Sequence, residues 1–261
     1  MIVSNRFGFV FVHVPKAAGS TVREQLSDVD PEAVTLWGRK KHEVLGDIDL
    51  AHLPLTVLRD HFPEYFQAVN DFPSYALVRD PDERFASSIS QHVKVHQRRS
   101  VRDLSEQELR RTVERVLETL GSSGPALPAM YAHFTPQSQF VELDGEALVH
   151  AYAVEHLSAM FEVLSSLTGR RLDASARANQ GFTIGSTEFD RFARAVNSKL
   201  WSVLPLPVYR GMRRGLAPIL EGTQRGSTRQ PAAGLSQEVT SFVHEFYAED
   251  FRLHRSLLRQ P

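Results

Sequence analysis

Lys16, Gly19, Ser20 and Thr21 lie within one stretch, residues 9–26, FVFVHVPKAAGSTVREQL. Lys16 brings a mobile cation, Ser20 and Thr21 bring hydroxyl donors, and Gly19 lets backbone approach a ligand closely. The residues before them run apolar as a buried strand does, and Val22 and Leu26 behind them fall at helical spacing. Where such a loop enters a helix, unpaired backbone N–H groups and the positive end of the helix dipole face the same point. The chemistry predicted here is a cradle for phosphate or sulfate.

A second set of anion donors follows a second apolar run. Residues 74–78, SYALV, read as a buried strand and end on Arg79-Asp80-Pro81. Pro81 suits the first turn of a helix, where a missing N–H costs nothing. Phe85 and Ile89 share one face of that helix, with Arg84, Ser87 and Ser88 near its opening. Two strand-loop-helix junctions of this kind suit a ligand with two separated anionic groups. The first is not a Walker A loop, because Lys16 precedes Gly19 by three residues instead of following a glycine. No acidic strand end stands out to hold Mg²⁺, so metal-free handling of the anion is expected.

The elements needed to position these groups predict an α/β domain. The first helix should fade around residues 27–31. Residues 35–49 show neither helical nor strand period and are expected to form a loop with at most a short strand. Leu55, Leu58, Phe62 and Phe66 argue for a helix over 51–70 that Pro63 splits. Ser105 and Glu108 form a capping box for a helix over 105–120, with Leu109, Val113, Val116, Leu117 and Leu120 as its apolar stripe. Strands are expected over 139–143, before a turn at Asp144 and Gly145, and over 148–154. A helix should run from Glu155 through Leu167 and end at Gly169. Another should start at Thr187, and a last one should span 236–257. Between them, 205–234 carries repeated Pro and Gly breaks and several arginines.

Composition bounds the function. The chain has 261 residues, 42% of them hydrophobic, enough for one large domain or a domain with an appendage. Lys+Arg 30 against Asp+Glu 31 leaves a net charge of −1, so no global basic field holds nucleic acid and any anion site is local. With Cys 0, disulfides and thiolate metal sites are excluded, which suits a reducing cytoplasm. No run approaches the roughly 20 apolar residues of a membrane span. The opening residues do not read as a signal peptide, and a cytoplasmic location is expected.

HVPKAAGST at residues 13–21 resembles the loop that binds the 5′-phosphosulfate in sulfotransferases using 3′-phosphoadenosine-5′-phosphosulfate (PAPS). YALVRDPDERFASS at residues 75–88 resembles the 3′-phosphate site of the same family. The likeness is greatest to carbohydrate sulfotransferases of the heparan 2-O-sulfotransferase group. HFTPQSQFVEL, VEHLSAMFEVL and VHEFYAEDFRLH also resemble later blocks of that group. The resemblance runs over 9–163 and resumes at 235; it does not cover 181–234.

The resemblance implies a P-loop-like, three-layer domain with a central parallel sheet flanked by helices. It implies one sulfotransferase domain over 1–261, with a variable acceptor-side insertion at about 181–234. Lys16 would stabilise charge on the leaving phosphate. The backbone of Ala17, Ala18, Gly19, Ser20 and Thr21, with the two hydroxyls, would hold the 5′-phosphate. Arg79 and Ser87 would bind the 3′-phosphate, the arginine by a fork of hydrogen bonds. PAPS is the implied cofactor, 3′,5′-ADP (PAP) its product, and a small-molecule or glycan hydroxyl the acceptor, with no metal and no nucleic acid.

An alcohol is a poor nucleophile until a base takes its proton, and histidine titrates nearest neutral pH. In the family a Gly-His pair supplies that base; here it is Ala51-His52. Among 11 His, His52 ranks first, with His42 and His133 next as bases or acceptor-site residues. His13 reads as structural. The basic triplet Arg39, Lys40 and Lys41 faces either an anionic acceptor or solvent. Arg84 either braces its loop or touches ligand, Ser88 either binds ligand or caps its helix, Gln137 has a structural or nucleotide-side role, and Glu155 either orients a basic residue or is an ordinary helix-start acid. Basic residues of the C-terminal segment approach the cofactor in the family, and Arg229 is not assigned that role here. Two other classes stay open: a nucleotide-dependent kinase with an unusual phosphate loop, and a PAP-binding module without catalysis.

Overall fold

The computed structural model describes residues 1–122, 127–175 and 237–259, all within one compact unit formed by 1–178 and 230–261. The expected helix from Thr187, the insertion at 181–234 and Arg229 lie outside the described residues. The architecture is α/β, with a mixed five-stranded sheet flanked by helices, in the order β3-β1-β2-β6-β9.

Its centre is β2 (Phe9–Val12) beside β6 (Ser74–Val78), followed by β9 (His150–Ala153), all three parallel. Every residue of β2 and β6 is buried. That is why both read as continuous apolar runs instead of alternating ones: both faces of the sheet are covered. The edge is antiparallel. β1 (Ile2–Ser4) pairs with β2 through a tight turn, in which the Gly8 amide, at φ +64°, donates to the Ser4 carbonyl at 2.9 Å. β3 (Val34–Thr35) pairs with β1. The sheet is thus parallel only from its middle strand β2 through β6 to the edge strand β9, and antiparallel on its other side. The apolar run at 1–3 lacks the length to announce β1 on its own.

Because Val12 sits opposite Ala76 in a parallel pair, the chain leaves β2 and β6 at the same edge of the sheet. Ligand sites of open α/β sheets form at this carboxyl edge. β2 leads into α1 (Gly19–Val29), and β6 into α4 (Pro81–His92), which runs on as a π-helical turn, Val93–Gln97. Between them come α2 (Leu55–His61) and α3 (Pro63–Asp71), with Pro63 opening the second as expected.

Three expectations need correction. Residues 35–49 contain an antiparallel hairpin, β4 (Arg39–His42) with β5 (Gly46–Asp49). Only Ile48 of the two strands is buried, so no strand period marked them. Residues 139–143 hold a 3₁₀ turn, Ser138–Phe140, and the two-residue strand β7 (Glu142–Leu143), which pairs with β8 (Glu146–Ala147). Asp144 and Gly145 turn between them, both with positive φ, as tight hairpins require. The single last helix is two, α7 (Gln237–Phe246) and α8 (Ala248–Leu257), separated at Tyr247.

α5 (Glu106–Ser122) starts with the predicted capping box: the Glu108 amide donates to Ser105 Oγ at 3.3 Å and the Ser105 amide to Glu108 Oε2 at 2.8 Å. α6 (Leu157–Thr168) ends at Gly169 in left-handed conformation. One core surrounds the sheet. A second joins Phe85 and Ile89 of α4, Val113 and Val116 of α5, and Val239 and Val243 of α7. Among the described residues, no helix is long and apolar enough to cross a membrane.

Candidate functional site

The loop between β2 and α1 holds two non-glycine residues in the left-handed region, Lys16 at φ 63° and Ala18 at φ 59°. Such a conformation costs roughly 1–2 kcal/mol per residue. A backbone that alternates in handedness turns successive N–H groups toward one concavity, which favours an anion. Ala18 is the N-cap of α1 without a side-chain cap, and the first turn carries no acid. The dipole end of α1 therefore meets no negative side chain of its own first turn.

Gly19 proves necessary for a reason the sequence did not show. A Cβ there would sit 2.0 Å from Cδ2 and 2.3 Å from Nε2 of His13. The close approach this glycine permits is to an imidazole packed against the start of α1. His13 in turn stacks on Trp37 at 5.9 Å, and the Arg23 guanidinium lies 3.7 Å from the Trp37 ring centre. His13 is thus structural, as expected.

Lys16 is mostly covered, and burial, reinforced by the charges of Lys94 and Arg79, lowers its pKa to about 8. Lys94 stands on the π-helical turn after α4. Cations of the second junction and of the turn behind its helix thus act on the lysine of the first.

The second junction is differently made. Asp80 caps α4 by accepting from the Glu83 amide at 3.0 Å, and Pro81 occupies the first turn. The Arg79 side chain is bound to Glu83 at 2.8 Å. Its peptide is clamped by Gln137, whose Oε1 accepts from the Arg79 amide at 2.9 Å and whose Nε2 donates to the Arg79 carbonyl at 2.8 Å. Ser87 lies four residues after Glu83, so it shares the helix face toward which Arg79 leans.

Gln137 is itself held. Its amide and that of Ser138 donate to the two carboxylate oxygens of Asp250, at 2.8 and 2.9 Å. Asp250 also pairs with Arg84 at 3.6 Å, and both side chains are fully buried. Arg84 Nη1 and Ser88 Oγ donate to the His133 carbonyl at 3.1 and 2.8 Å. Tyr247, under Arg84, donates its hydroxyl to the Phe134 carbonyl at 2.7 Å. Arg84 and Ser88 are therefore braces, and what they brace is the backbone of His133. Glu155 meets His254 at 3.3 Å, the basic partner its position suggested.

His52 closes a 3₁₀ turn, Leu50–His52, which Asp49 caps by accepting from the Ala51 amide at 3.1 Å. Its Nδ1 lies 3.3 Å from the His13 carbonyl. A carbonyl only accepts, so Nδ1 carries the proton and Nε2 keeps its lone pair. The His52 ring stands 4.8 Å from His13 and 5.1 Å from His133. Burial above all lowers the pKa of His52 and of His133 to about 3 each, and the charge of Lys16 adds to both shifts. Both imidazoles are neutral at pH 7.

Of the three histidines ranked from the sequence, the structure brings His52 and His133 together. His42 stays in the β4–β5 turn, accepting at Nδ1 from the Val44 and Leu45 amides, both at 3.2 Å, and meeting the rings of His61 and Phe62. A groove of about 650 Å³ opens beside His52, with Arg39, Lys41 and Asp49 on one side and Met130 and Ala132 on another.

Asp49, Lys94 and Asp250 escaped the sequence reading. Asp49 sat in a segment without period, and Lys94 was one charge in a polar tail. Asp250 had nothing but an acid in a helical stretch to mark it. Comparison with family models, curated proteins and solved structures finds no match to this chain.

Proposed function

We propose that this protein is a sulfotransferase that moves the sulfuryl group of PAPS to a hydroxyl of a carbohydrate or glycoconjugate. Its fold is read as P-loop-like and three-layered, with 1–261 as one domain. The observation that carries the proposal is the position of Lys16. It stands in the loop that opens α1, where the charge of Arg79 acts on it and its own charge acts on His52 and His133. A cation kept under partial burial beside like charges suits an anionic ligand that restores the balance. The left-handed Lys16 and Ala18 and the bare N-cap of α1 fit the same ligand.

PAPS, when bound, supplies a sulfuryl group that passes from its phosphate to the acceptor oxygen. Ala17, Ala18, Gly19, Ser20 and Thr21 hold the 5′-phosphate, and Lys16 offsets the charge that gathers on the departing phosphate. Arg79 exchanges Glu83 for the 3′-phosphate, with Ser87 beside it. His52 accepts the acceptor's hydroxyl proton at Nε2, the nitrogen that its bond to the His13 carbonyl leaves bare. The groove next to His52 receives the acceptor.

Thermal unfolding with PAP tests the nucleotide half. PAP should raise the melting temperature of the wild type and have no effect on Lys16→Ala or Arg79→Ala; undiminished stabilisation in both sinks the assignment. His52→Ala should keep PAP stabilisation while transfer from PAPS drops by about 10²–10⁴-fold. Retained transfer would move the base to His133.

A further inference from the structure

Asp49, His52 and His133 come from separate parts of the chain. One carboxylate oxygen and one nitrogen from each ring lie within 4.8 Å of one another. Each group is held by other contacts. The His52 ring is oriented by Nδ1 on the His13 carbonyl, Asp49 by Oδ1 on the Ala51 amide, and the His133 backbone by Arg84 and Ser88. A ring N–H held by a backbone carbonyl is the arrangement that commonly orients a metal-binding imidazole.

We propose that Asp49, His52 and His133 form a three-ligand site for a first-row divalent transition metal ion, with Zn²⁺ as the best fit. Two imidazoles and one carboxylate suit Zn²⁺, whereas Mg²⁺ and Ca²⁺ prefer oxygen ligands throughout. Ligands on one tetrahedral Zn²⁺ stand about 3.3 Å apart, given bonds of about 2.0–2.1 Å. Binding therefore draws the three side chains inward by about 1 Å. Asp49 and His52 also line the groove, so a fourth position opens to solvent there.

The site goes beyond the transfer reading and limits it. A metal on His52 Nε2 occupies the lone pair that proton removal requires, so a bound ion blocks transfer and leaves the Lys16 loop untouched. Metal occupancy is then an inhibitory input to the same groove.

Titration of the full chain with Co²⁺ tests the site through ligand-field absorption, which needs neither PAPS nor turnover. The wild type should bind one Co²⁺ per chain in a saturable way, and Zn²⁺ should displace it. Asp49→Asn and His133→Gln should each weaken binding by at least about tenfold, and the double variant should lose the bands. Melting curves without ligand check that the variants fold. His92→Ala serves as a control, because the His92 and His96 rings, 4.8 Å apart, form an imidazole pair that is not part of the three-ligand cluster. Absent bands in the wild type, bands that persist in the folded double variant, or bands lost in His92→Ala would each overturn the proposal. If PAP fails to stabilise the wild type while Co²⁺ binds as described, the nucleotide reading falls and the metal site stands.

Discussion

The two strand-to-helix junctions leave the same edge of the sheet, but one is completed by its own residues and the other is not. After β6, Asp80 caps the helix, Glu83 takes the Arg79 side chain, and Gln137 takes both polar groups of the Arg79 peptide. After β2, the helix starts without a side-chain cap or an acid, behind two left-handed residues and a partly buried lysine. The difference separates a junction that is stable without ligand from one that carries unfavourable terms which an anion can relieve. It also predicts that the first junction governs affinity and the second governs fit.

Removing the charge at the first junction should have the largest effect. Lys16→Met should stabilise the ligand-free protein by about 1–3 kcal/mol while removing its response to PAP. The sign follows from the lowered pKa. Protonated Lys16 is disfavoured in the folded state, in full below pH 8, and the penalty fades as pH rises from about 8 toward the ordinary lysine value. The advantage of Lys16→Met in melting experiments should therefore shrink above pH 8. PAP affinity of the wild type should fall across the same range.

Next in size is the cap of the second junction. Asp80→Ala should lower stability by about 1 kcal/mol, a fall of about 2–4 °C in melting temperature, with or without PAP. A loss of PAP binding out of proportion to that fall would mean that the second junction is not self-sufficient.

The smallest change sharpens the contrast. Glu83→Gln frees the Arg79 side chain from a partly exposed ion pair. It should tighten PAP by roughly two- to fivefold, since such pairs are worth about 0.2–1 kcal/mol. Weaker binding, measured by calorimetry, would show that Glu83 orients Arg79 instead of competing for it.

Much of the first junction was legible because its signals are local: an apolar run, a loop of small and polar residues, and helical spacing behind it. The same holds for the capping box at Ser105 and the left-handed stop at Gly169. The β4–β5 hairpin was not, because its strands bury almost nothing and so carry no alternation. The partnership of His52 with His133 was hidden for another reason. It depends on a 3₁₀ turn and on a loop braced from α4, contacts with no trace in residue spacing. The role of Gly19 against His13 needed coordinates as well, since the sequence suggested only a ligand as the reason for a missing Cβ.

Asp250 has a further consequence. It touches Gln137, and through it Arg79, while its partner Arg84 touches the loop of His133. The Arg79 peptide and the loop of His133, whose ring stands 5.1 Å from that of His52, are thus fastened through one carboxylate. During synthesis, the loop at Lys16 emerges long before that carboxylate does. The Lys16 loop therefore exists before the carboxylate that fastens the neighbouring junction does.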